Sequence, residues 1–227
     1  MEKTNNKPAH IPYISKEISE ETLVEKTASF YNFSNTRRSI REFSTTPIAK
    51  EVIENLIKTA STAPSGAHKQ PWIFCAISNK ALKSKIRIAA EKEEKENYDS
   101  RMSERWKKDL EPLATNHEKS FLEEAPWLIV VFKKTYELHA NGEKSNNYYV
   151  NESVGIACGT LLAAIHAAGL VSLTHTPSPM NFLSKLLKRP ANEKPFLLIP
   201  IGFAKQPTQI PNLTRKPLAE VSVFYEA

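Results

Sequence analysis

Two short segments carry the residues best suited to chemistry. Residues 37–41 read Arg-Arg-Ser-Ile-Arg and place three guanidinium groups and a hydroxyl within five positions. A guanidinium group is permanently charged and presents paired N–H donors, so this cluster suits a phosphate group. Residues 62–72 read Thr-Ala-Pro-Ser-Gly-Ala-His-Lys-Gln-Pro-Trp, a turn of small residues in which the backbone can approach a flat ligand closely. Together the two segments predict a pocket for a planar, phosphorylated cofactor.

A simpler interpretation of residues 37–41 is a solvated basic edge before a short strand, because most basic runs lie on the surface. Two further features favour the cofactor. The cluster occurs together with the turn at 62–72, and a second basic pair, Arg215-Lys216, lies near the end of the chain.

The composition is that of a globular protein. The chain has 227 residues, of which 41% are hydrophobic and 25% charged, enough for one sizeable core. Its net charge is +6, but segments such as 91–96 mix lysine with glutamate, unlike the stripe of one sign that binds nucleic acid. The first residues lack the apolar core of a signal peptide, and no run reaches the ~18 apolar residues of a spanning helix. These features predict a cytoplasmic protein with neither a nucleic-acid nor a membrane partner.

The absences narrow the possible chemistry. The six glycines form neither G-x-G-x-x-G nor a P-loop, and no G-x-S-x-G turn is present. The six histidines are scattered, and Cys75 and Cys158 lie in apolar stretches without metal-ligand spacing. We therefore expect no metal site, buried reduced thiols, and neither a hydrolase nor a metalloenzyme.

Hydrophobic periodicity predicts both helices and strands. Thr46 is expected to cap a helix that begins at Pro47 and ends near Ala60. Other helices are predicted over about 19–31, 80–98, 102–110, 149–168 and 180–188, and strands over 72–77, 128–132, 170–174 and 196–201. A polar lead-in, 1–16, precedes a single domain, 17–227, whose residues from about 207 to 227 form an extended arm on another surface.

The segment 149–168 has little polar face, so both sides of this helix are expected to be buried. Gly155 and Gly159 are four residues apart and would let another helix approach closely. That helix belongs either to the same chain or to a second subunit, and the residues alone leave both interpretations open.

The two opening segments, taken together, resemble the nitroreductase superfamily of flavoproteins. Within that superfamily, further residues resemble the iodotyrosine deiodinases over about 11–217: Glu94, Tyr98, Arg101-Met102, Trp106, Lys119 and Thr174-His175-Thr176-Pro177. The resemblance implies an α+β protein of nitroreductase-like fold, with a mixed central sheet flanked by helices, in an intertwined homodimer whose C-terminal arms are exchanged. It also implies FMN at the dimer interface.

The resemblance implies a role for each matching residue. The FMN phosphate would be held by Arg37, Arg38, Ser39 and Arg215, in a cofactor-binding segment that includes Ile40. Arg41 would reach the pyrimidine edge of the flavin, where negative charge accumulates on reduction. Ser65 and Gly66 would line the flavin, Ala67 would offer its N–H to the substrate phenolate, and Thr174, His175 and Thr176 would lie on the other side. Thr176 is the expected donor to flavin N5, and Thr174 is the alternative.

Deiodinases also carry an active-site lid, here expected at about 91–120. Glu94 would take the ammonium of an amino-acid substrate, while Tyr98 and Lys119 would take its carboxylate, because both charges need partners once water is excluded. The neighbouring charged residues, among them Glu91, are expected to form a solvated helix face. His175 stands where vertebrate deiodinases carry threonine and is expected to pack behind the site.

The predicted activity is reductive dehalogenation of halotyrosines, from iodotyrosine to tyrosine plus iodide, by stepwise single-electron transfer. The electrons would come from an unidentified donor or reductase. One alternative is a general NAD(P)H-dependent nitroreductase, which transfers hydride and lacks a zwitterion clamp. The other is a flavin-binding or basic interaction module without enzymatic activity.

Overall fold

The computed structural model describes residues 10–226, and the chain divides after Thr36 into two compact units. The first unit contains one helix, α1 (Glu20–Asn35), whose N-terminus is capped by Ser19 Oγ accepting from Thr22 N at 3.3 Å. No residue of α1 is buried, and Phe30 and Tyr31 are both more than 60% exposed. Of the predicted lead-in, residues 1–9 lie outside the described part of the chain, and residues 10–16 have no regular secondary structure.

The second unit is built on a four-stranded sheet in the order β1 (Trp72–Ile77), β2 (Trp127–Lys134), β6 (Glu193–Gly202) and β5 (Val171–Ser172). All three neighbouring pairs are antiparallel. A parallel bridge between Ser39 and Ser172 continues the sheet beyond β5 and makes it mixed. This bridge places residues 37–41 at the sheet edge. A separate hairpin joins β3 (Tyr136–Leu138) to β4 (Lys144–Asn146).

The helices of the second unit are α2 (Lys50–Ala60), α3 (Lys80–Glu96), α4 (Glu104–Leu110), α5 (Phe121–Glu124), α6 (Val150–Ala167), α7 (Asn181–Leu186) and α8 (Leu218–Val221). Helices α2 and α6 pack on one face of the sheet and α3, α5 and α7 on the other, whereas α4 and α8 have no buried residue. A π-helical turn, Asn97–Arg101, continues α3, and 3₁₀ turns lie at Gly66–His68 and Glu111–Leu113. The order of elements confirms the α+β class predicted from the sequence.

The core lies in two layers because successive side chains of a strand point to opposite faces. Ile129 and Val131 of β2 belong to the cluster that includes the apolar faces of α2 and α6. Leu128, Val130 and Phe132 belong to the other cluster, with residues of α3, α5 and α7. All five are 0% exposed, and each contributes about 1.5–3 kcal/mol by burial.

The predicted start of α2 is wrong. The helix begins at Lys50 after Ala49, which makes no side-chain cap, and Thr46 Oγ1 instead hydrogen-bonds Ser44 Oγ at 2.7 Å. The Ile48 carbonyl, which a helix begun at Pro47 would use internally, accepts from Trp127 Nε1 at 2.9 Å. This contact with β2 holds residues 46–49 outside the helix. The predicted strand 170–174 is likewise reduced to Val171–Ser172.

One face of α6 is exposed, so the prediction that both sides are buried is wrong for the single chain. Ile156 is 49% exposed, and a Cβ added at Gly155 or Gly159 would meet no atom within 4 Å. These glycines therefore do not serve close packing inside this chain. Among the described residues α6 alone is long and apolar enough to cross a membrane, with a mean hydropathy of 1.2. Its opposite face packs in the core, as the central helix of a globular domain does.

Candidate active site

The arginine cluster and the C-terminal segment form a cationic cavity of about 330 Å³. The Arg215 guanidinium donates to the Arg37 carbonyl at 3.0 Å, and Arg38 Nη2 donates to the Pro211 carbonyl. The cavity lining contains four arginines and no carboxylate: Arg37, Arg38, Ser39, Arg41, Leu113, Ile210, Pro211, Leu213, Thr214 and Arg215. The structure thus brings together every residue predicted to hold a phosphate, although residues 41 and 215 are far apart in the chain.

Ile40 has a different place from its neighbours. Its side chain is 7% exposed and belongs to the core, and its backbone N–H donates to the Ser172 carbonyl at 3.2 Å. Since Ser39 and Arg41 flank it on an extended segment, burying Ile40 turns their side chains away from the core. Ile40 thus anchors the predicted phosphate-binding segment and does not line the cavity.

The turn at 65–70 is held in an unusual backbone conformation. Ala67, His68 and Gln70 have φ values of 49°, 55° and 47°, in the left-handed region that side chains other than glycine rarely adopt. Ser65 Oγ accepts from Gln70 N at 2.9 Å, and Gly66 N donates to Ser153 Oγ at 3.3 Å. Gly66 is required by space, because an added Cβ would lie 2.9 Å from Tyr149 Cδ2. The single chain leaves Ser65, Gly66 and Ala67 outside the lining of both cavities described in this section.

A second cavity, of about 210 Å³, gathers three of the four residues predicted to bind substrate, Glu94, Tyr98 and Lys119, but not Ala67. Glu94, Tyr98 and Lys119 line it from α3, the π-helical turn and the segment before α5, and Thr174, His175 and Thr176 line it from the segment after β5. The remaining lining residues are mostly apolar: Met102, Trp106, Leu110, Leu113, Thr115, Phe121 and Leu173. Arg41 lines both cavities, so the cationic cavity and this one adjoin at Arg41.

Glu94 and Lys119 form an ion pair inside this cavity. Lys119 Nζ lies 3.6 Å from Glu94 Oε2, and the two side chains are 5% and 12% exposed, lysine first. Burial raises the pKa of Glu94 and lowers that of Lys119, although each charge partly opposes the shift of the other. The lysine also donates to Thr115 Oγ1 at 3.3 Å and to the Asn116 carbonyl. The ammonium and carboxylate are thus close without forming a short hydrogen bond.

Tyr98 joins Glu94 and Lys119 in a cluster of polar side chains at this end of the cavity. Its hydroxyl donates to the Thr115 carbonyl at 3.1 Å, and its ring centroid lies 6.0 Å from Lys119 Nζ. Burial and, to a smaller extent, the Glu94 carboxylate raise the pKa of Tyr98. The phenol therefore stays protonated and able to donate at neutral pH.

His175 is buried against the protein interior, as predicted. Its backbone pairs with Leu198 through hydrogen bonds of 2.9 and 3.0 Å, and its ring packs edge-on against Phe121 with centroids 5.5 Å apart. Burial, with smaller contributions from Lys119 and Arg41, lowers the pKa of His175 to about 3. The imidazole is therefore neutral, and its buried Nε2 has no hydrogen-bond partner among the described residues. A neutral ring at this pKa is no proton donor at neutral pH.

The prediction that the charged residues beside Glu94 form a solvated helix face is wrong for Glu91. Its carboxylate accepts from Lys119 N and from Arg87 Nε, each at 2.7 Å, and its side chain is 24% exposed. The sequence offered no signal for the contact with Lys119, because the partner is a backbone N–H 28 residues away. Within residues 10–226 no group of three or more histidine, cysteine, aspartate or glutamate residues could hold a metal.

Comparisons with known proteins agree with this geometry. The sequence model of the nitroreductase family matches residues 35–203. A curated iodotyrosine deiodinase of Haliscomenobacter hydrossis is 58% identical over 219 residues, which cover 96% of this chain and 99% of that protein. Human iodotyrosine deiodinase 1 is 45% identical over 215 residues, covering 94% of this chain and 74% of the human protein. The chain therefore belongs to the nitroreductase family and, within it, to the iodotyrosine deiodinases.

Solved structures give the same fold. The crystal structure of an oxidised iodotyrosine deiodinase bound to FMN and 3-iodo-L-tyrosine matches with a TM-score of 0.75 at 30% identity, covering 87% of this chain and 98% of that one. A nitroreductase-like protein of Streptococcus mutans matches with a TM-score of 0.65 at 18% identity, which shows the fold alone. The nitroreductase-like fold predicted from the sequence is thus confirmed.

The residues of the cationic cavity fit the cofactor FMN. A phosphate monoester carries close to two negative charges at neutral pH, and the cavity lining supplies four guanidinium groups and the Ser39 hydroxyl without any acid to repel the phosphate. Such a surplus of cations facing one cavity is stable only with an anion or water between them. The shared position of Arg41 would then place the rest of the cofactor toward the second cavity.

Proposed function

We propose that this protein is an FMN-dependent enzyme that removes iodide from iodotyrosine by reduction and accepts other halotyrosines. The observation that carries the proposal is the buried Glu94–Lys119 pair, which lies in a cavity adjoining an arginine-lined one. A buried cation and anion held together in a small cavity of mixed polar and apolar lining match the ammonium and carboxylate of a free amino acid. The nitroaromatic substrate of a general nitroreductase carries neither an ammonium nor a carboxylate that would pair with these two charges.

The zwitterion is bound by exchange of partners. The ammonium of the substrate binds Glu94, and its carboxylate binds Lys119 and the Tyr98 hydroxyl. Because the two protein charges are 3.6 Å apart, longer than a good hydrogen bond, the pair itself loses little when each charge turns to the substrate, although Lys119 also leaves Thr115 Oγ1 and the Asn116 carbonyl. Met102, Trp106 and the other apolar residues around the cavity then exclude water, which strengthens both new pairs. Residues 91–120 act as the lid in this proposal.

The cofactor is held by the cationic cavity. Arg37, Arg38, Ser39 and Arg215 bind the FMN phosphate, and Arg41 faces the flavin edge that becomes negative on reduction. When bound and reduced, FMN would supply the two electrons of the reaction in single steps, and a proton would replace the iodine on the ring as iodide leaves. Thr176 would donate a hydrogen bond to flavin N5, with Thr174 as the alternative donor. The N–H of Ala67, an exposed residue of the left-handed turn, would bind the substrate phenolate.

The enzyme acts as a homodimer in this proposal. The exposed face of α6, with Gly155, Ile156 and Gly159, is suited to close approach by a second copy. Since Ser65, Gly66 and Ala67 stay outside the cavities of their own chain, association brings this turn to the site of the partner. The part of the arm beyond Arg215, which includes α8, exchanges between the two copies, while Pro211 and Arg215 stay against Arg38 and Arg37 of their own chain. The site of action is the cytoplasm, where a reductase of the cell supplies the electrons.

The decisive experiment is an anaerobic single turnover. The purified protein is loaded with FMN and reduced with dithionite, iodotyrosine is added, and flavin reoxidation and iodide release are followed together. One iodide per reoxidised flavin is expected. A protein that reoxidises with a nitroaromatic and releases no iodide from iodotyrosine would be a general nitroreductase, and a colourless protein that retains no FMN would be no flavoenzyme at all.

A further inference from the structure

One ridge of α3 binds the segment that carries Lys119. Lys83, Arg87, Glu91, Glu94 and Tyr98 follow one another at spacings of four, four, three and four residues, so their side chains lie on the same side of the helix and its π-helical continuation. Lys83 Nζ donates to the carbonyls of Glu123 and Ala125 at 2.9 and 2.6 Å. The last two members, Glu94 and Tyr98, reach the substrate cavity.

Glu91 stands at the middle of this ridge and binds the Lys119 backbone, whereas Glu94 pairs with the Lys119 ammonium. Its Oε1 accepts the backbone N–H of Lys119 at 2.7 Å. The same oxygen accepts from Arg87 Nε at 2.7 Å, and Arg87 Nη1 also reaches Glu123 Oε2 at 3.2 Å. The Lys119 carbonyl accepts from Leu122 N at 3.0 Å. The backbone of Lys119 is thus fixed on both sides of its Cα.

The ammonium of Lys119, in contrast, is held among the described residues by neighbours within its own loop, by Glu94 and by the Tyr98 ring, whose centroid is 6.0 Å away. Thr115 Oγ1 and the Asn116 carbonyl are its partners in that loop. To reach a substrate carboxylate, the side chain must leave these oxygens while the backbone stays in place. A fixed backbone lowers the entropy lost in that step, because only the side-chain torsions then remain to be ordered.

We propose that Glu91 is a positioning residue for substrate binding, which holds the Lys119 backbone so that the ammonium meets the substrate carboxylate. The proposal rests on the clamp described under Proposed function. Pairing with Arg87 is a weaker explanation for the role of Glu91, because surface i,i+4 ion pairs contribute only about 0.3–0.5 kcal/mol. Glu123 also offers Arg87 a second carboxylate. The contact particular to Glu91 is the one with the Lys119 amide.

The test measures binding to the FMN-loaded, oxidised protein by the change in flavin fluorescence. The two ligands are 3-iodotyrosine and 2-iodophenol, which has the iodinated ring without the amino-acid end. The variants are Glu91→Ala, Glu91→Gln, Lys119→Gln and the double variant Glu91→Ala/Lys119→Gln. Glu123→Ala is the matched control, because it removes the other carboxylate from Arg87 without touching the Lys119 amide. FMN retention and thermal stability are measured for each.

Glu91→Ala is expected to weaken 3-iodotyrosine binding about tenfold to a hundredfold, the range for loss of a charge-assisted hydrogen bond. The affinities of Glu91→Ala for 2-iodophenol and FMN should stay within about twofold of the parent. For Glu123→Ala the affinities for both ligands and for FMN should all stay within that range. Glu91→Gln keeps an acceptor oxygen and should remain within about threefold of the parent. If Glu91 acts through Lys119, the double variant binds 3-iodotyrosine no more weakly than Lys119→Gln alone.

Two outcomes separate this proposal from the function on which it rests. If Lys119→Gln weakens 3-iodotyrosine binding while Glu91→Ala does not, or if the two losses add, the role of Glu91 is overturned and the clamp stands. If Lys119→Gln leaves binding unchanged, the clamp itself is wrong and the role of Glu91 falls with it. Should Glu91→Ala fail to retain FMN, Glu91→Asp replaces it, since its carboxylate is one methylene too short for the 2.7 Å contact.

Discussion

Replacing Lys119 by glutamine should separate binding of the amino-acid end from binding of the ring. The Lys119 side chain is 5% exposed, and Glu94 beside it is 12% exposed, so neither charge is well solvated by water. Removing one partner from a buried charge pair costs about 3–5 kcal/mol. The Tyr98 hydroxyl still serves the substrate carboxylate in the variant, so we take the lower end, about 3 kcal/mol. At about 1.4 kcal/mol per tenfold, 3-iodotyrosine binding should weaken about a hundredfold.

The assay is a fluorescence titration of the FMN-loaded protein, with 2-iodophenol as the paired ligand. The phenol should bind poorly to the parent and change by less than about threefold in Lys119→Gln, because it carries no carboxylate. Glu94→Gln should behave in the same way through the ammonium. Equal losses for both ligands would mean that the variant disturbs the ring site, and the assignment of the clamp would be refuted.

Four other results are expected. Arg38→Ala should release FMN more readily than the parent, measured by the dissociation constant for FMN; unchanged retention would contradict the phosphate assignment. Thr176→Ala should lower the rate of iodide release while nitroaromatic reduction persists. A parental rate of iodide release would assign the hydrogen bond to flavin N5 to Thr174 instead. His175→Phe should keep deiodination at neutral pH, since a ring whose pKa is about 3 donates no proton there, and should gain about 1 kcal/mol in thermal unfolding by removing an unpaired nitrogen. At pH values below the raised pKa of Glu94 the carboxylate becomes protonated, so the affinity for 3-iodotyrosine should fall relative to that for 2-iodophenol. Glu94→Gln should abolish this pH dependence.

Strands with apolar residues on both faces could be predicted from the sequence, and polar ones could not. Trp72–Ile77 has the predicted bounds because both of its sides are covered. β6 begins three residues before its predicted start, at Glu193, because Arg189 Nε lies 2.6 Å from the glutamate and lets a charge be buried at 5% exposure. The β3–β4 hairpin escaped prediction, since its strands are short and mostly polar and are held by backbone pairing.

The residues of the candidate site likewise divide into those that could be predicted from the sequence and those that could not. The phosphate-directed cluster at 37–41 could be inferred from residue types alone, because guanidinium groups so close together suggest an anion. Glu94, Tyr98 and Lys119 could be assigned only through resemblance, since nothing in their spacing says that they share one cavity. Glu91 could not be found at all, because its key partner is a main-chain amide, and main-chain partners leave no mark in a sequence.

The left-handed turn at 65–70 has a consequence for how the protein can vary. Three residues with side chains, Ala67, His68 and Gln70, adopt positive φ, at a cost of about 1–2 kcal/mol each. Hydrogen bonds from Gln70 N to Ser65 Oγ and from Gly66 N to Ser153 Oγ help to hold the turn in this shape. Valine, isoleucine or threonine at any of these positions would strain the backbone further. Sequence variation in the turn should accordingly be confined to glycine, asparagine and small or unbranched residues.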